Sequence, residues 1–249
     1  MALVHSFEEN GNFLFRYRGQ IPALLFLASI PVIYFTDYDW LKSEDSNQVV
    51  WLIIAALVSF LGQVVRAIAI GTANKYTSGR NTKEQVADAL NTKGIYSTVR
   101  HPLYLGNYLM WIGIVLYVLN PWYVIVVTLL FWLYYERIMF AEERFLERKF
   151  GEDYISWSKS VPAFIPSMKN YKKSEIPFSM KTILRREYSG ITATIIGFLF
   201  VEILRDYKLN DGFENNPNYW IVLGVALGIS LVLRTLKHHT KVLHEEDRS

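Results

Sequence analysis

The sequence predicts an all-α, polytopic integral membrane protein with about six transmembrane helices and a site at its cytoplasmic face. Three observations predict this class. Hydrophobic residues make up 51% of the 249 residues and aromatic residues 15%, which is too apolar for an ordinary soluble domain. Six apolar segments approach the length of a bilayer span. The basic residues are sorted unevenly among the loops that join those segments.

The apolar segments set the predicted helices. They cover residues 21–36, 49–71, 103–119, 122–135, 191–204 and 219–233. A spanning helix needs about 20 residues, so the second is long enough alone and the others need their amphipathic ends. Lys and Arg are rare in residues 37–48 and 205–218 but frequent in 72–101, in 136–188 and beyond 234. By the positive-inside rule, both termini are expected in the cytoplasm, and we expect a bacterial inner membrane.

Several classes of protein are disfavoured by what the chain lacks. Cysteine is absent, which excludes disulfides, a thiol nucleophile and thiolate metal sites. No metal site is therefore predicted. The net charge of +3 is explained by basic loops that set the membrane topology. No nucleic-acid-binding module is recognisable in the sequence. The first 19 residues lack the basic, apolar and small-residue order of a cleaved signal peptide.

The third and fourth segments are predicted to form a tight helical hairpin. Residues 103–135 carry no charge and would be about 50 Å long as one helix, far beyond a bilayer of about 30 Å. Asn120 and Pro121 must therefore break the helix. Before the hairpin, residues 72–99 form a polar loop in which residues 84–90 are expected to be a short surface helix.

Residues 100–106 lie where this polar loop becomes the first helix of the hairpin. Pro102 is suited to the first helical turn, with His101 at the cap. His101 and Tyr104 then share one face of a turn whose free N–H groups make it electropositive. Arg, His and Tyr are also common where membrane helices meet water, so these residues are either an interfacial anchor or part of a site.

The second helix of the hairpin is predicted to continue into the cytoplasm and to end at Gly151. A hairpin brings the start of its first helix beside the end of its second, so Glu142 and Glu143 should meet His101 and Tyr104. Alone, the two carboxylates could equally form an exposed charged helix face. Residues 161–166 contain two prolines and are expected to run as an extended strap along the interface.

As a set, these residues resemble the isoprenylcysteine carboxyl methyltransferase family. That family belongs to a wider group of membrane methyltransferases that includes phospholipid N-methyltransferases. The resemblance covers residues 61–166. It is carried by residues 94–106 and by the later positions Glu142, Glu143, Leu146, Phe150, Gly151, Tyr154, Val161 and Pro162.

The resemblance implies an S-adenosyl-L-methionine site built without a Rossmann sheet, and the chain has no strand followed by a glycine-rich turn. A sulfonium cation favours carboxylates and aromatic faces, and the carboxylate of the cofactor favours a helix N-terminus. The residues implied to bind the cofactor are Arg100, His101, Tyr104, Leu105, Gly106, Glu142 and Glu143.

The implied reaction is methyl transfer to an anionic oxygen, a carboxylate or a phosphate, of a lipidic acceptor in the membrane. Arg137 is the first candidate to hold such an acceptor and Arg66 the second, although Arg66 could instead snorkel to the interface. If the acceptor is an amine, Glu136 would have to take a proton. A lipid phosphate, a lipid amine or a small thiol stays open as an acceptor, because these residues do not fix its identity.

Two other classes of function compete with this hypothesis. Membrane sterol reductases, which use NADPH, look similar over the same elements but tend to carry Asp at the position of Asn107. The adjacent pair Glu142 and Glu143 favours the methyltransferases. A non-enzymatic membrane scaffold is the third hypothesis, and the clustering of polar residues at one face disfavours it.

The chain is divided at this stage into three parts: N-terminal helices in residues 1–60, a catalytic core in 61–170, and a basic linker with two helices in 171–249. Residues 168–181 are either a solvated linker or a contact for anionic headgroups. Gly224 and Gly228 form a small-residue pattern through which the last helices could pair in a homodimer.

Overall fold

The computed structural model describes residues 2–42, 48–73, 85–213 and 216–245. These residues contain eight α-helices and three short 3-10 helices, and no β-strand beyond one isolated bridge between Gly94 and Lys172. The predicted all-α class is confirmed. The α-helices are α1 Leu3–Arg16, α2 Ile21–Phe35, α3 Gln48–Gly71, α4 Pro102–Tyr117, α5 Pro121–Phe150, α6 Glu152–Ser160, α7 Met180–Leu209 and α8 Pro217–His239.

Six of these helices correspond to the six predicted apolar segments. Helices α3, α5, α7 and α8 are long and apolar enough to cross a membrane, whereas α4 and the apolar part of α2, Ala23–Phe35, are shorter. The chain is therefore a polytopic membrane protein. Helices α5 and α7 have 30 residues each and are about 45 Å long, so both extend beyond a bilayer of about 30 Å.

The predicted hairpin is confirmed in α4 and α5. Helix α4 ends at Tyr117 and α5 begins at Pro121, as the missing N–H of proline allows. The side chain of Asn120 caps α5 by accepting a hydrogen bond from the backbone N–H of Tyr123 at 3.0 Å. At the other end, Gly151 takes a φ of +53°, a left-handed conformation that suits glycine, and stops α5 as predicted.

Helices α3 and α4 cross in close contact at a pair of glycines. A Cβ atom added to Gly62 would lie 2.5 Å from the carbonyl oxygen of Gly106, and one added to Gly106 would lie 2.9 Å from that of Gly62. Such distances leave no room for a side chain at either position. Gly106 thus lets α3 approach α4, which brings Arg66 of α3 beside the first turns of α4.

The N-terminal helix α1 was not predicted, and it packs along the later part of α5, which carries Glu142 and Glu143. Phe7, Gly11 and Leu14 recur at helical spacing and face α5. The hydroxyl of Tyr134 donates to the carbonyl oxygen of Leu14 at 3.0 Å, and Glu8 pairs with Arg148 at 2.6 Å. Helix α1 therefore extends the end of the bundle that carries the predicted site.

The polar loop before α4 differs from its prediction. A short helix was expected over residues 84–90, but residues 85–90 are irregular, and residue 84 lies outside the described part. Helix α7 packs against α2, α3 and α4, and α8 packs against α7. The last two helices thus join the bundle through α7.

Candidate active site

The start of α4 is held in place by the strap of residues 161–167. The backbone N–H of Arg100 donates to the carbonyl oxygen of Pro162 at 2.9 Å, and that of His101 donates to Ala163 at 3.2 Å. In the opposite direction, the N–H of Ser167 donates to the carbonyl oxygen of Thr98 at 2.9 Å. The strap is non-helical, as its two prolines predict, and it bends at residues 161 and 163–165 instead of running straight. It fixes the residues that lead into α4.

Glu142 and Glu143 meet this helix start, as the hairpin topology predicts. The His101 Nε2 atom lies 2.8 Å from Glu143 Oε1, and Nδ1 lies 3.6 Å from Glu142 Oε2. The Arg100 Nε atom lies 3.1 Å from Glu143 Oε1, and its Nη1 donates to the carbonyl oxygen of Ser158 at 2.7 Å. Glu143 is thus shared by two cationic side chains.

The buried imidazole of His101 is favoured in its charged form. Burial disfavours the imidazolium, but the carboxylates of Glu142 and Glu143 outweigh burial, so the pKa of His101 is raised above its ordinary value. An imidazolium donates from both nitrogen atoms and lies between the two acidic side chains. One oxygen of Glu142, Oε2, is buried and has no hydrogen-bond partner in the described part of the chain.

Aromatic rings line the same region. The rings of His101 and Tyr104 stack with centroids 5.6 Å apart, and Tyr104 lies 4.9 Å from the ring of Tyr135. From α6, Tyr154 and Trp157 meet at 5.8 Å. A carboxylate oxygen in need of a partner among aromatic faces is a suitable environment for an organic cation.

These groups open into a cavity of about 590 Å³, which is within the size range of ligand sites. One part of its lining is polar and another part is apolar. The polar lining includes Arg66, Arg100, His101, Tyr104, Glu142 and Trp157. The apolar lining includes Phe26, Met110, Trp111, Ile114 and Ala193, which lie on the membrane helices α2, α4 and α7. A ligand that is polar in one part and apolar in another matches this cavity.

The predicted site residues divide into two groups. Five of them line the cavity: Arg66, Arg100, His101, Tyr104 and Glu142. Glu143 is outside the lining but contacts Arg100 and His101. The others are outside the lining: Leu105, Gly106, Glu136 and Arg137.

The positions of Arg137 and Gly106 have clear physical reasons. Arg137 precedes Glu142 by five residues, which turns it about 140° around α5. Its guanidinium lies 3.3 Å from the ring centroid of Phe7 in α1, and its Nη1 atom is buried with no hydrogen-bond partner among the described residues. Gly106 lies at the crossing of α3 and α4, where there is no room for a side chain. Neither residue lines the cavity. The acceptor contact assigned to Arg137 and the cofactor contact assigned to Gly106 stay predictions.

Some cavity residues were missed. Phe15 and Arg18 come from the N-terminal region, and the Arg18 guanidinium lies 3.8 Å from the ring centroid of Phe15. Gly190 and Thr194 come from α7. Helical spacing of apolar residues in α1 could have revealed the N-terminal contribution. No local pattern marks the α7 residues, because a small residue in a membrane helix usually only packs.

Comparison with known proteins agrees with the position of this site. A family model described as phospholipid methyltransferase matches residues 50–153, which contain α3, α4 and the part of α5 that carries Glu142 and Glu143. No solved structure gives a significant match.

Curated relatives are protein-S-isoprenylcysteine O-methyltransferases. The protein of Xenopus laevis is 32% identical over 130 residues, covering 51% of this chain and 45% of the relative. That of Saccharomyces cerevisiae is 32% identical over 115 residues, covering 46% and 48%. The Dictyostelium discoideum protein is 27% identical over 158 residues, covering 63% and 65%.

The chain spans about half the length of the first two of these relatives. The residues matched by the family model include most of the charged lining of the cavity, namely Arg66, Arg100, His101 and Glu142. The predicted resemblance is confirmed. Residues 50–153 are therefore similar to the membrane methyltransferases that include the phospholipid methyltransferases and the isoprenylcysteine carboxyl methyltransferases.

Proposed function

We propose that the chain is an S-adenosylmethionine-dependent methyltransferase that methylates an anionic oxygen of a lipidic, membrane-resident acceptor. One observation carries this proposal. A single cavity joins charged and aromatic groups at the start of α4 to an apolar lining on α2, α4 and α7. A polar cofactor that enters from the cytosol and a lipid that enters from the bilayer would therefore meet in one space.

The residues fit the cofactor. The buried Glu142 Oε2 atom lies 3.6 Å from His101 Nδ1 and has no hydrogen-bond partner among the described residues, and the cavity that Glu142 lines also holds the aromatic rings of Tyr104 and Trp157, a combination that suits a sulfonium or an ammonium group. The first turn of α4, with Arg100 and His101, suits a carboxylate. When bound, S-adenosylmethionine supplies a methyl group whose bond to sulfur breaks as the bond to the acceptor oxygen forms, leaving neutral S-adenosylhomocysteine.

The chain's own residues would act mainly by positioning. A carboxylate or phosphate acceptor is already anionic, so no general base is needed, and the charge of the pair is neutralised during transfer. Exclusion of water by the apolar lining favours such a reaction, because the separate ions lose more solvation than the transition state does. Arg66, which lines the cavity, would contact the acceptor. Arg137 would do so only if α1 moved from its ring contact with Phe7.

The acceptor to test first follows from the relatives. Their printed name is protein-S-isoprenylcysteine O-methyltransferase, which makes the carboxylate of an S-isoprenylated cysteine the first choice. A lipid phosphate is the second. A lipid amine is the alternative, and it would require a proton acceptor such as Glu136, which does not line the cavity.

The test is transfer of a tritiated methyl group from labelled cofactor by the detergent-purified protein. N-acetyl-S-farnesylcysteine, dioleoyl phosphatidate and dioleoyl phosphatidylethanolamine would be offered separately. We expect label in the first, and we expect base to release it as an ester would. Base-stable label in the amine lipid would replace O-methylation with N-methylation, and no label in any acceptor would overturn the proposed activity.

The arrangement in the membrane is also a proposal. The basic loops support both termini in the cytoplasm of a bacterial cell, with the cavity's polar side at that face. A homodimer through α8 is supported by Gly224 and Gly228, at which an added Cβ would have no neighbour within 4 Å. The three-part division at residues 60 and 170 is retained as a working description.

A further inference from the structure

Helix α7 lies outside residues 50–153, yet it contributes to the cavity. Its residues Gly190, Ala193 and Thr194 line the cavity. None of the three belongs to the part of the chain that the family model matches. A Cβ added at Gly190 would lie 3.8 Å from Glu187 Oε2 and from Met110 Cε, which is ordinary contact. The cavity wall at Gly190 is therefore open rather than tightly packed.

The same helix supplies the counter-ion of Arg66. The Arg66 Nε atom lies 2.7 Å from Glu187 Oε2, and its Nη2 lies 2.7 Å from Glu187 Oε1, which makes the pair bidentate. Gln63 donates to Glu187 Oε2 at 3.0 Å. The Glu187 side chain is 2% exposed and that of Arg66 is 20% exposed. Glu187 thus lies behind Arg66, and the exposed part of Arg66 belongs to the cavity lining.

The contacts of Arg66 with α4 are neutral. Arg66 Nη1 donates to Asn107 Oδ1, and the amide of Asn107 donates in turn to the hydroxyl of Tyr135 at 3.0 Å. A guanidinium in a membrane helix is costly unless it is paired, and the carboxylate that pairs with it here comes from α7. Because the pair holds the guanidinium at two atoms, Glu187 also fixes its orientation toward the cavity.

We propose that α7 forms the acceptor wall of the cavity and that Glu187 is a positioning residue that holds Arg66 at this wall to contact the polar group of the acceptor. This inference rests on the proposed function. It assigns to a helix outside the matched core a role in choosing and orienting the acceptor, whereas cofactor binding is left to α4 and α5.

The first test compares Glu187→Gln with the wild type, using N-acetyl-S-farnesylcysteine as acceptor. We expect kcat/KM for the acceptor to fall about tenfold or more while the Kd for S-adenosylhomocysteine stays within about twofold. Adding Asn107→Asp to Glu187→Gln returns a carboxylate to Arg66 from the α4 side and should restore part of the loss. Unchanged acceptor kinetics in Glu187→Gln, or an equal loss of cofactor affinity, would overturn the role of Glu187.

The second test leaves Arg66 and Glu187 unchanged, so it can be carried out even if Glu187→Gln fails to fold. Gly190→Leu would place a side chain in the cavity at the α7 wall. It should raise the acceptor KM about tenfold, with cofactor affinity retained. Ser189→Leu, at an exposed neighbouring position outside the lining, is the matched control and should behave as the wild type. Equal acceptor KM in both variants would remove α7 from the acceptor site.

The two proposals fail in different ways. If the wild type transfers no methyl group to any of the three acceptors, the proposed function is overturned, and the role of α7 is overturned with it. If the wild type is active and the variants match it, only the role of α7 is overturned.

Discussion

Two buried ion-pair clusters lie in opposite parts of the helix bundle. The inner site consists of Arg100, His101, Tyr104, Glu142 and Glu143, at the start of α4 and on the late part of α5. The outer cluster consists of Tyr117, Glu202 and Arg205, where α4 ends and α7 approaches its end. Both clusters combine a cation, a carboxylate and a tyrosine.

The clusters differ in whether they reach the cavity. Arg205 is 1% exposed, donates to the carbonyl oxygen of Tyr117 at 3.2 Å and to its hydroxyl at 2.8 Å, and pairs with Glu202 at 2.5 Å. None of the three residues lines the cavity. Each cluster leaves a buried atom without a hydrogen-bond partner among the described residues, Arg205 Nε in the outer cluster and Glu142 Oε2 in the inner site, but of these two residues only Glu142 lines the cavity.

This comparison teaches that a buried charge in a membrane helix is not by itself a sign of function. The outer cluster joins α4 to α7 through contacts that its members make with one another. The inner site presents some of its polar atoms to a space of about 590 Å³. Access to a cavity, rather than residue type, separates the two.

The largest expected effect is on cofactor binding by the inner site. We expect His101→Ala and Glu142→Gln to weaken the affinity for S-adenosylhomocysteine roughly 100-fold to 1000-fold, because each removes a charged side chain that lines the cavity in which the cofactor is proposed to bind. Glu202→Gln, which changes the same kind of group in the outer cluster, should leave affinity unchanged. Isothermal titration calorimetry on detergent-purified protein measures all three. Equal losses in the inner and outer variants would erase the distinction between the clusters.

The next effect is on the helix crossing that supports the inner site. Gly62→Ala should lower the free energy of unfolding by about 3 kcal/mol, because its Cβ would lie 2.5 Å from backbone atoms of Gly106 and Met110. Gly224→Ala in α8 is the control, since an added Cβ there has no neighbour within 4 Å. Thermal unfolding in one detergent compares them, and similar midpoints would contradict the tight crossing.

A smaller effect is expected in the outer cluster. Arg205→Met should lower the free energy of unfolding by about 2 kcal/mol, because Glu202 loses its partner but is only partly buried. Affinity for S-adenosylhomocysteine should not change in the protein that remains folded. A variant of normal stability with impaired cofactor binding would reverse the roles assigned to the two clusters.

The smallest expected effect is a pH dependence of stability. Despite burial, Glu142 and Glu143 raise the pKa of His101, so the paired imidazolium contributes stability that is fully present below about pH 6.5. That contribution is lost as the pH rises through the raised pKa of the folded state. We expect the unfolding midpoint to decline over this interval in the wild type and to decline less in His101→Asn. Parallel pH profiles would show that His101 does not carry the effect.

The parts of the fold that follow from local chemistry could be predicted from the sequence. Asn120 and Pro121 had to break an uncharged segment longer than a bilayer, and the resulting hairpin placed Glu143 within hydrogen-bond distance of His101. Gly151 ended α5 as expected because its backbone adopts a positive φ. These inferences needed only chain length, turn chemistry and topology.

The rest depended on contacts between distant segments. Arg137 shares a helix with Glu142, but its side of α5 is covered by Phe7 of α1, a contact that the sequence of α5 alone does not reveal. Gly106 was assigned to the cofactor by the family resemblance, yet its small size serves the approach of Gly62. Glu187 gave no signal, because a carboxylate near the end of a helix is ordinary until its partner Arg66 is located.

One calorimetric titration tests the central claim most directly. The purified wild-type protein would be titrated with S-adenosylhomocysteine and, separately, with NADPH. We predict saturable binding of S-adenosylhomocysteine that is lost in Glu142→Gln and kept in Glu202→Gln, with no binding of NADPH. Binding of NADPH alone would contradict the account and would favour a nicotinamide-dependent reductase.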